Sequence, residues 1–309
     1  MKILIYGAGV IGSLYAAKIA SRKKFDVTVL ARGKRLKELN EKGLLLKSMK
    51  SSNIETANIN IISELSPDDI YDFIFVTLRK DQVESILPIL RNNKTKNILF
   101  MVNNPSGPSK WIEVVGKERI ILGFPGAGGK RENGIVHYHV VSSLIQPTTI
   151  GEVDRKYTER IKALSNVLKE AGFKVAVSSD MDCWQKSHLA LVSPMANVIY
   201  KCGGDNYTVT QDKKAINLMN KAIREGLMFL RDAGFTLIPF KTRFILYIPM
   251  WILNKIMLII YNTKWAETVI SNHALIAREE MKILADEFIQ LAHSRGVNLP
   301  NFEELAKYI

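Results

Sequence analysis

The sequence predicts an α/β chain: an N-terminal, doubly wound parallel sheet followed by an all-helical C-terminal domain. Three observations carry this. Short apolar runs alternate with helical patterns through the first third of the chain, the signature of βαβ units. A glycine-rich turn, Gly7-Ala8-Gly9-Val10-Ile11-Gly12, directly follows the first of those runs. No strand pattern follows Val177, and everything from Asp180 onward reads as helix. The boundary is placed near residue 180, giving domains 1–180 and 181–309, in line with the two domains that 309 residues most simply make.

The elements follow in order. Lys2–Tyr6 reads as a buried strand, Ile11–Ser21 as a helix and Asp26–Leu30 as a second strand. Arg35–Lys42 is polar and helical, Ile59–Ile62 and Phe73–Thr77 are strands, and Gln82–Leu90 is a helix. Strands Asn97–Val102 and Ile120–Gly123 complete the parallel part. Gly134–Val141 and Thr148–Glu152 then read as antiparallel strands of the same sheet. Tyr157–Ala171 is an amphipathic helix stopped by Gly172, and Phe173–Val177 is the last strand. The second domain reads as helices Cys183–Tyr200, Lys213–Ala233 and Glu267–Ser294, with an apolar segment at Phe244–Tyr261.

Composition excludes several classes. Hydrophobic residues are 47% and charged residues 24%, which rules out a disordered or fibrous chain. Cys183 and Cys202 have no CxxC partner, so neither a disulfide scaffold nor a metal site is expected. The net charge of +13 favours anionic partners. The cations are dispersed and no nucleic-acid-binding signature accompanies them, so the expected partner is a small anion rather than nucleic acid. The apolar run Ile3–Tyr6 is too short for a signal peptide, which predicts a cytoplasmic protein. Phe244–Tyr261 is interrupted by Pro249 and holds Asn254 and Lys255. It predicts no stable membrane span. It reads as a kinked helix buried in a core or in a homodimer contact, with peripheral membrane contact through Tyr247 and Trp251 as the alternative.

A GxGxxG between a strand and a helix is a dinucleotide fingerprint of the Rossmann type. Gly7 allows the tight turn, Gly9 lets backbone approach a pyrophosphate, and Gly12 lets the helix pack on the strand. The amides around Val10 and Ile11 then face the phosphates. The end of the second strand selects the cofactor. An acidic residue there would bond ribose hydroxyls, but the sequence is Leu30-Ala31-Arg32, with Lys34 and Arg35 beyond. A guanidinium grips a 2′-phosphate by paired hydrogen bonds, so NADP(H) is expected, with Arg32 as the main contact.

These residues resemble the ketopantoate reductase (2-dehydropantoate 2-reductase) family. The resemblance rests on GAGVIG, on Arg32 after the second strand, on Val76–Lys80 (VTLRK), on Asn103–Gly107 (NNPSG), on Trp184-x-Lys186 and on Glu280. It implies a Rossmann domain followed by a helical domain, with the active site in the cleft between them. It implies that Lys186 is the general acid. It also implies that Glu280 helps hold the substrate, since Glu280 lies sixteen residues before the glycine of Gly296-Val297-Asn298-Leu299-Pro300. Glu279 is the neighbouring alternative. Asn104 matches the family's asparagine near the nicotinamide, and Arg79, with Lys80 beside it, replaces a cofactor-binding lysine.

The chain departs from the family pattern in its second half. Two substrate asparagines, four and eight residues after the lysine, fall on Ala190 and Pro194, and a third falls on Trp265. A family serine falls on Thr268. Asn197, on nearly the same helical face as Lys186, and His188 are candidates for the lost polar contacts. Gly123–Lys130 (GFPGAGGK) reads as a cleft lining or a plain turn. The expected activity is NADPH-dependent reduction of a small anionic 2-keto acid. The alternatives are a related hydroxyacid or opine-type dehydrogenase, or a non-catalytic NADP-binding regulator.

Overall fold

The structure is a computed structural model and describes residues 1–309, apart from the side chain of His273. The chain forms two compact units. One comprises Met1–Asn103 and Pro108–Met181; the other comprises Asp182–Ile309 together with the short segment Asn104–Gly107.

The first unit contains twelve strands. These are β1 (Lys2–Tyr6), β2 (Asp26–Leu30), β3 (Leu44–Ser48), β4 (Ile54–Ala57), β5 (Asn60–Ile62), β6 (Phe73–Val76), β7 (Ile98–Met101), β8 (Ile120–Phe124), β9 (Ala127–Glu132), β10 (Ile135–Val140), β11 (Thr148–Glu152) and β12 (Val175–Val177). Eight form one sheet in the order β12-β11-β8-β7-β6-β1-β2-β5. The run β5-β2-β1-β6-β7-β8 is parallel throughout and has the strand order of a dinucleotide-binding fold, with its direction of winding reversing between β1 and β6. β11 joins antiparallel to β8, as expected. β1, β6 and β7 are buried on both faces, which is why they read as unbroken apolar runs and not as alternations.

The remaining strands correct the sequence expectation. Residues 134–141 do not extend the main sheet. β10 belongs to a separate four-stranded sheet, β4-β3-β10-β9, in which it runs parallel to β3 and antiparallel to β9. β3 and β4 gave no clear signal, being short and half-polar. The glycine-rich stretch after Phe124 is no plain turn: it leads into β9, whose Gly128 and Gly129 pair with His139 and Tyr138. Helix α1 (Val10–Ala20) packs against the main sheet and against this second one, so it is buried almost all round.

The first unit's other helices are α2 (Gly33–Lys42), α3 (Lys80–Asn92), α4 (Ser109–Val115) and α5 (Glu159–Glu170). The second unit holds α6 (Met181–Lys201, whose first residue closes the first unit), α7 (Asn206–Gln211), α8 (Lys213–Asp232), α9 (Met250–Tyr261), α10 (Lys264–Ala266), α11 (Asn272–Ile276), α12 (Arg278–His293) and α13 (Pro300–Ala306). The single helix expected over residues 267–294 is broken instead: a π turn spans Glu267–Ser271, and Ala277 leaves helical geometry at φ −103°, ψ 20° before α12 begins. The apolar segment starting at Phe244 divides at Pro249 into a 3-10 turn, Phe240–Leu246, and α9. Among the described residues, no helix is long and apolar enough to cross a membrane, and no group of His, Cys, Asp and Glu is placed to hold a metal.

Candidate active site

The glycine loop is built at the reversal point of the main sheet. Gly7 ends β1 with φ +118°, a conformation that side chains with a Cβ rarely adopt. Its N–H donates to the Leu30 carbonyl at 3.3 Å, and the Thr77 hydroxyl, just past β6, donates to its carbonyl at 2.9 Å. A Cβ on Gly12 would overlap that same carbonyl and the Thr77 hydroxyl, so only glycine lets α1 approach β1 this closely. A Cβ on Gly9 would meet nothing within 4 Å, so the backbone there is open to an approaching ligand. Gly9 caps α1 without a side-chain bond, and the first helical bond is Ser13 N–H to the Gly9 carbonyl at 3.0 Å. The amides of Val10, Ile11 and Gly12 precede that bond, at the positive end of the helix dipole. This open cradle fits a pyrophosphate.

Two arginines after β2 take different roles. Arg32 is exposed at the N-cap of α2, with its guanidinium 5.8 Å over the Tyr6 ring and donating to the Tyr6 hydroxyl at 2.9 Å. Burial pushes the Tyr6 phenol up, and Arg32 beside it pulls it partly back. Arg35 turns inward instead. It is 7% exposed, and it donates to the Ala8 carbonyl at 3.1 Å, to the Ser13 hydroxyl at 3.2 Å and to the Gly134 carbonyl at 3.1 Å. It also pairs with Glu38. Arg35 therefore ties the glycine loop to the β9–β10 turn and leaves Arg32 as the outward guanidinium. The sequence showed a run of cations there but not which of them was structural.

At the end of β6, Arg79 is the N-cap of α3 and is exposed, 3.4 Å from Asp81. Its neighbour Lys80 is buried, with its ammonium 5.4 Å over the Trp111 ring.

In the helical unit, Lys186 lies in the second turn of α6 with its side chain 3% exposed. Its ammonium contacts the carboxylate of Asp182, one turn earlier, and stands 5.1 Å over the Phe235 ring. Gly107 covers the pair: a Cβ there would lie 3.0 Å from Asp182 Oδ1 and 3.4 Å from Lys186 Nζ, and its φ of +85° also suits glycine. Gly107 is held by Asn104, which is buried and donates to the Gly107 carbonyl at 2.7 Å. The Ser106 hydroxyl lies 3.0 Å from Asn104 Oδ1 and 2.9 Å from Glu287 Oε2 on α12. Asn104 and Lys186, far apart in sequence, are thus brought to one place. Asp182, Ser106 and Glu287 were not foreseen. Only Asp182 had a readable signal, the i,i+4 spacing to Lys186 on a helix.

The other expected residues are more scattered. Glu280 is half-buried in the first turn of α12, two turns before Glu287 and on the same face, while Glu279 is exposed. His188 stacks on Trp184 at 4.9 Å. Asn197 is fully buried, with its Nδ2 3.5 Å from the Ser193 hydroxyl and its Oδ1 lacking a partner among the described residues. Thr268 donates to the Lys264 carbonyl within its own turn. Ala190 is fully buried in the helical core, close to Gly226 of α8.

Comparison with known proteins bears on the fold and the family. Residues 3–155 match the family model described as ketopantoate reductase PanE/ApbA. The 2-dehydropantoate 2-reductase of Pyrococcus horikoshii is 27% identical over 239 residues, covering 76% of this chain and 75% of its own length. The Archaeoglobus fulgidus 2-dehydropantoate 2-reductase is 23% identical with the same coverage. The solved structure of D-mandelate dehydrogenase with NADH and anilino(oxo)acetate shares the fold at a TM-score of 0.78 and 18% identity, covering all of this chain and 96% of that one. The chain is thus a family-level match to the ketopantoate reductases, consistent with a divergent relative of that group, and by class a Rossmann-fold, NAD(P)-binding oxidoreductase related to them.

Proposed function

We propose that the protein is an NADPH-dependent reductase of a small anionic 2-keto acid, yielding the 2-hydroxy acid. In this reading the domain at 1–180 holds the cofactor and the domain at 181–309 binds the substrate. The observation that carries it is the buried Lys186 ammonium, fixed by Asp182 and capped by Gly107, on the residue expected to be the acid. Bound NADPH supplies the hydride. The amides of Val10, Ile11 and Gly12 hold the pyrophosphate, and the exposed guanidinium of Arg32 takes the 2′-phosphate, with Arg79 as a second cation. Lys186 stabilises the developing alkoxide and gives it a proton, and the Lys186 ammonium is left as an amine. Glu280 helps hold the substrate, Asn104 positions the nicotinamide side, and Asn197, Thr268 and His188 supply polar contacts. The unpartnered Asn197 Oδ1 favours Asn197 among these three. A fixed ammonium at the acid position is more than a cofactor sensor needs, which favours an enzyme over a non-catalytic regulator.

A second reading keeps the chemistry and changes the substrate to that of a bulkier hydroxyacid dehydrogenase. Ala190, Pro194 and Trp265 stand where the family's asparagines would grip ketopantoate, and Ala190 is fully buried. An apolar wall discriminates by only roughly 1–3 kcal/mol per methylene, whereas unpaired polar groups reject far more strongly. Comparing specificity constants across keto acids of increasing apolar bulk tests this. Ketopantoate is expected to be a poor substrate and a bulkier keto acid a better one. A ketopantoate value above all others would restore the family's usual substrate.

A further inference from the structure

The helical unit carries a surface that this chemistry does not use. On α9, Leu253, Met257 and Tyr261 recur every four residues and are buried, and Asn254 is hydrogen-bonded to Asn220 and Asn217 of α8. The other side of α9 carries Trp251, Lys255 and Ile259, also four residues apart, and all three are exposed, Trp251 at 62% and Ile259 at 70%. The preceding turn adds Phe240, Phe244 and Tyr247, each more than half exposed. So many large apolar side chains gathered within twenty residues of a surface mark an interaction site.

The charge of this segment is one-sided. From Ala233 to Ala266 the chain has no Asp or Glu, while Lys241, Arg243, Lys255 and Lys264 fall within it. Two of these cations sit beside exposed rings: the Arg243 guanidinium is 5.1 Å from the Phe240 centroid, and the Lys255 ammonium is 5.1 Å from that of Trp251. The turn is also held in place, because Arg224 of α8 donates to the Ile245 carbonyl at 3.3 Å and to the Ile248 carbonyl.

We propose that this face docks on an anionic lipid surface. Phe240, Phe244, Tyr247, Trp251 and Ile259 enter the boundary between headgroups and acyl chains, and Arg243 and Lys255 meet headgroup phosphates, as interfacial helices do. At 1.5 Å per residue, α9 is roughly 18 Å long, too short for a hydrocarbon core of about 30 Å, so it lies on the surface and does not span it. Charge argues against a second copy as the occupant. A symmetric pairing would set the same cations against each other with no carboxylate in the segment to offset them.

The test is co-sedimentation of the full chain with vesicles of phosphatidylcholine alone and of phosphatidylcholine mixed with phosphatidylglycerol. Light scattering in solution accompanies it. Binding is expected to the mixed vesicles only, and to weaken with salt. Removing two cations in Arg243→Gln/Lys255→Gln should weaken it by roughly twenty-five-fold, at about fivefold per charge. Tyr247→Ser/Trp251→Ser should abolish it, with thermal melting confirming that both variants fold. Three results would each overturn the proposal: no binding to the anionic vesicles, equal binding to neutral ones, or a dimer in solution that Trp251→Ser dissolves while vesicle binding is absent.

Discussion

Lys186 and Asp182, one helical turn apart on α6, form an ion pair in which the ammonium is buried and the carboxylate is about one-third exposed. An i,i+4 pair on an exposed helix contributes little, but here one partner is out of water, and removing the carboxylate leaves a buried charge uncompensated. The pair fixes the position of the proton that the proposed reaction consumes. Lys186→Ala should lower turnover by roughly 10²–10⁴, the loss expected for a general acid, with NADPH affinity unchanged. Asp182→Asn should lower it less. Steady-state kinetics beside a fluorescence titration of NADPH separates the two effects, and full turnover in Lys186→Ala would remove the residue from the mechanism.

Arg32 and Arg35 should be distinguishable by cofactor. Arg32 faces outward, and a charge-assisted, paired contact to the 2′-phosphate is worth on the order of 1.5–3 kcal/mol. Arg32→Ala is therefore expected to raise the NADPH dissociation constant roughly tenfold to a hundredfold while leaving NADH almost unaffected. Equal affinity of the native protein for the two cofactors would count against the assignment.

Arg35 does not reach outward; it holds the Ala8 carbonyl, the Ser13 hydroxyl and the Gly134 carbonyl together. Its removal takes a donor from each of these acceptors, of which the Ala8 carbonyl keeps the Ser13 hydroxyl, at about 1–3 kcal/mol for any group left unpaired where water cannot reach. Arg35→Ala should lower the melting temperature and weaken NADH and NADPH alike. Selective loss of NADPH would show that it reads the phosphate after all.

His139 gives a pH signature to the second sheet. Burial lowers its pKa from the ordinary 6.5, and its Nδ1 has no partner among the described residues. As pH falls through the unfolded value of 6.5, the unfolded chain takes up a proton that the folded chain resists, so this contribution is complete above that pH and is lost below it. Thermal melts across this range should show stability falling on the acid side, and His139→Gln should flatten the slope. An unchanged slope in the variant would place the titrating group elsewhere.

The parallel sheet was readable because β1, β2, β6 and β7 are buried on both faces and separated by helical patterns. The glycine loop was readable because each glycine answers a separate steric demand. The second sheet was hidden for the opposite reason. β3 and β4 are short and half-polar, and β9 carries two glycines that pass for a turn until they are paired with His139 and Tyr138. In the candidate site, Lys186 and Asn104 came from the family resemblance, through Trp184-x-Lys186 and Asn103–Gly107. Their meeting at Gly107 was not legible, because it depends on a segment of the first half of the chain belonging with the helical unit. The break at Ala277 left no signal, since alanine favours the helix it interrupts.

The central claim, an acid on Lys186 serving a cofactor selected by Arg32, is tested most directly by following NADPH absorbance in the presence of a panel of 2-keto acids. The native protein, Arg32→Ala and Lys186→Ala are assayed side by side. The account predicts NADPH consumption with at least one keto acid, faster than NADH consumption. It also predicts loss of the NADPH preference in Arg32→Ala and loss of turnover with intact NADPH binding in Lys186→Ala. A native protein that binds NADPH tightly yet consumes none of it with any keto acid would contradict the account.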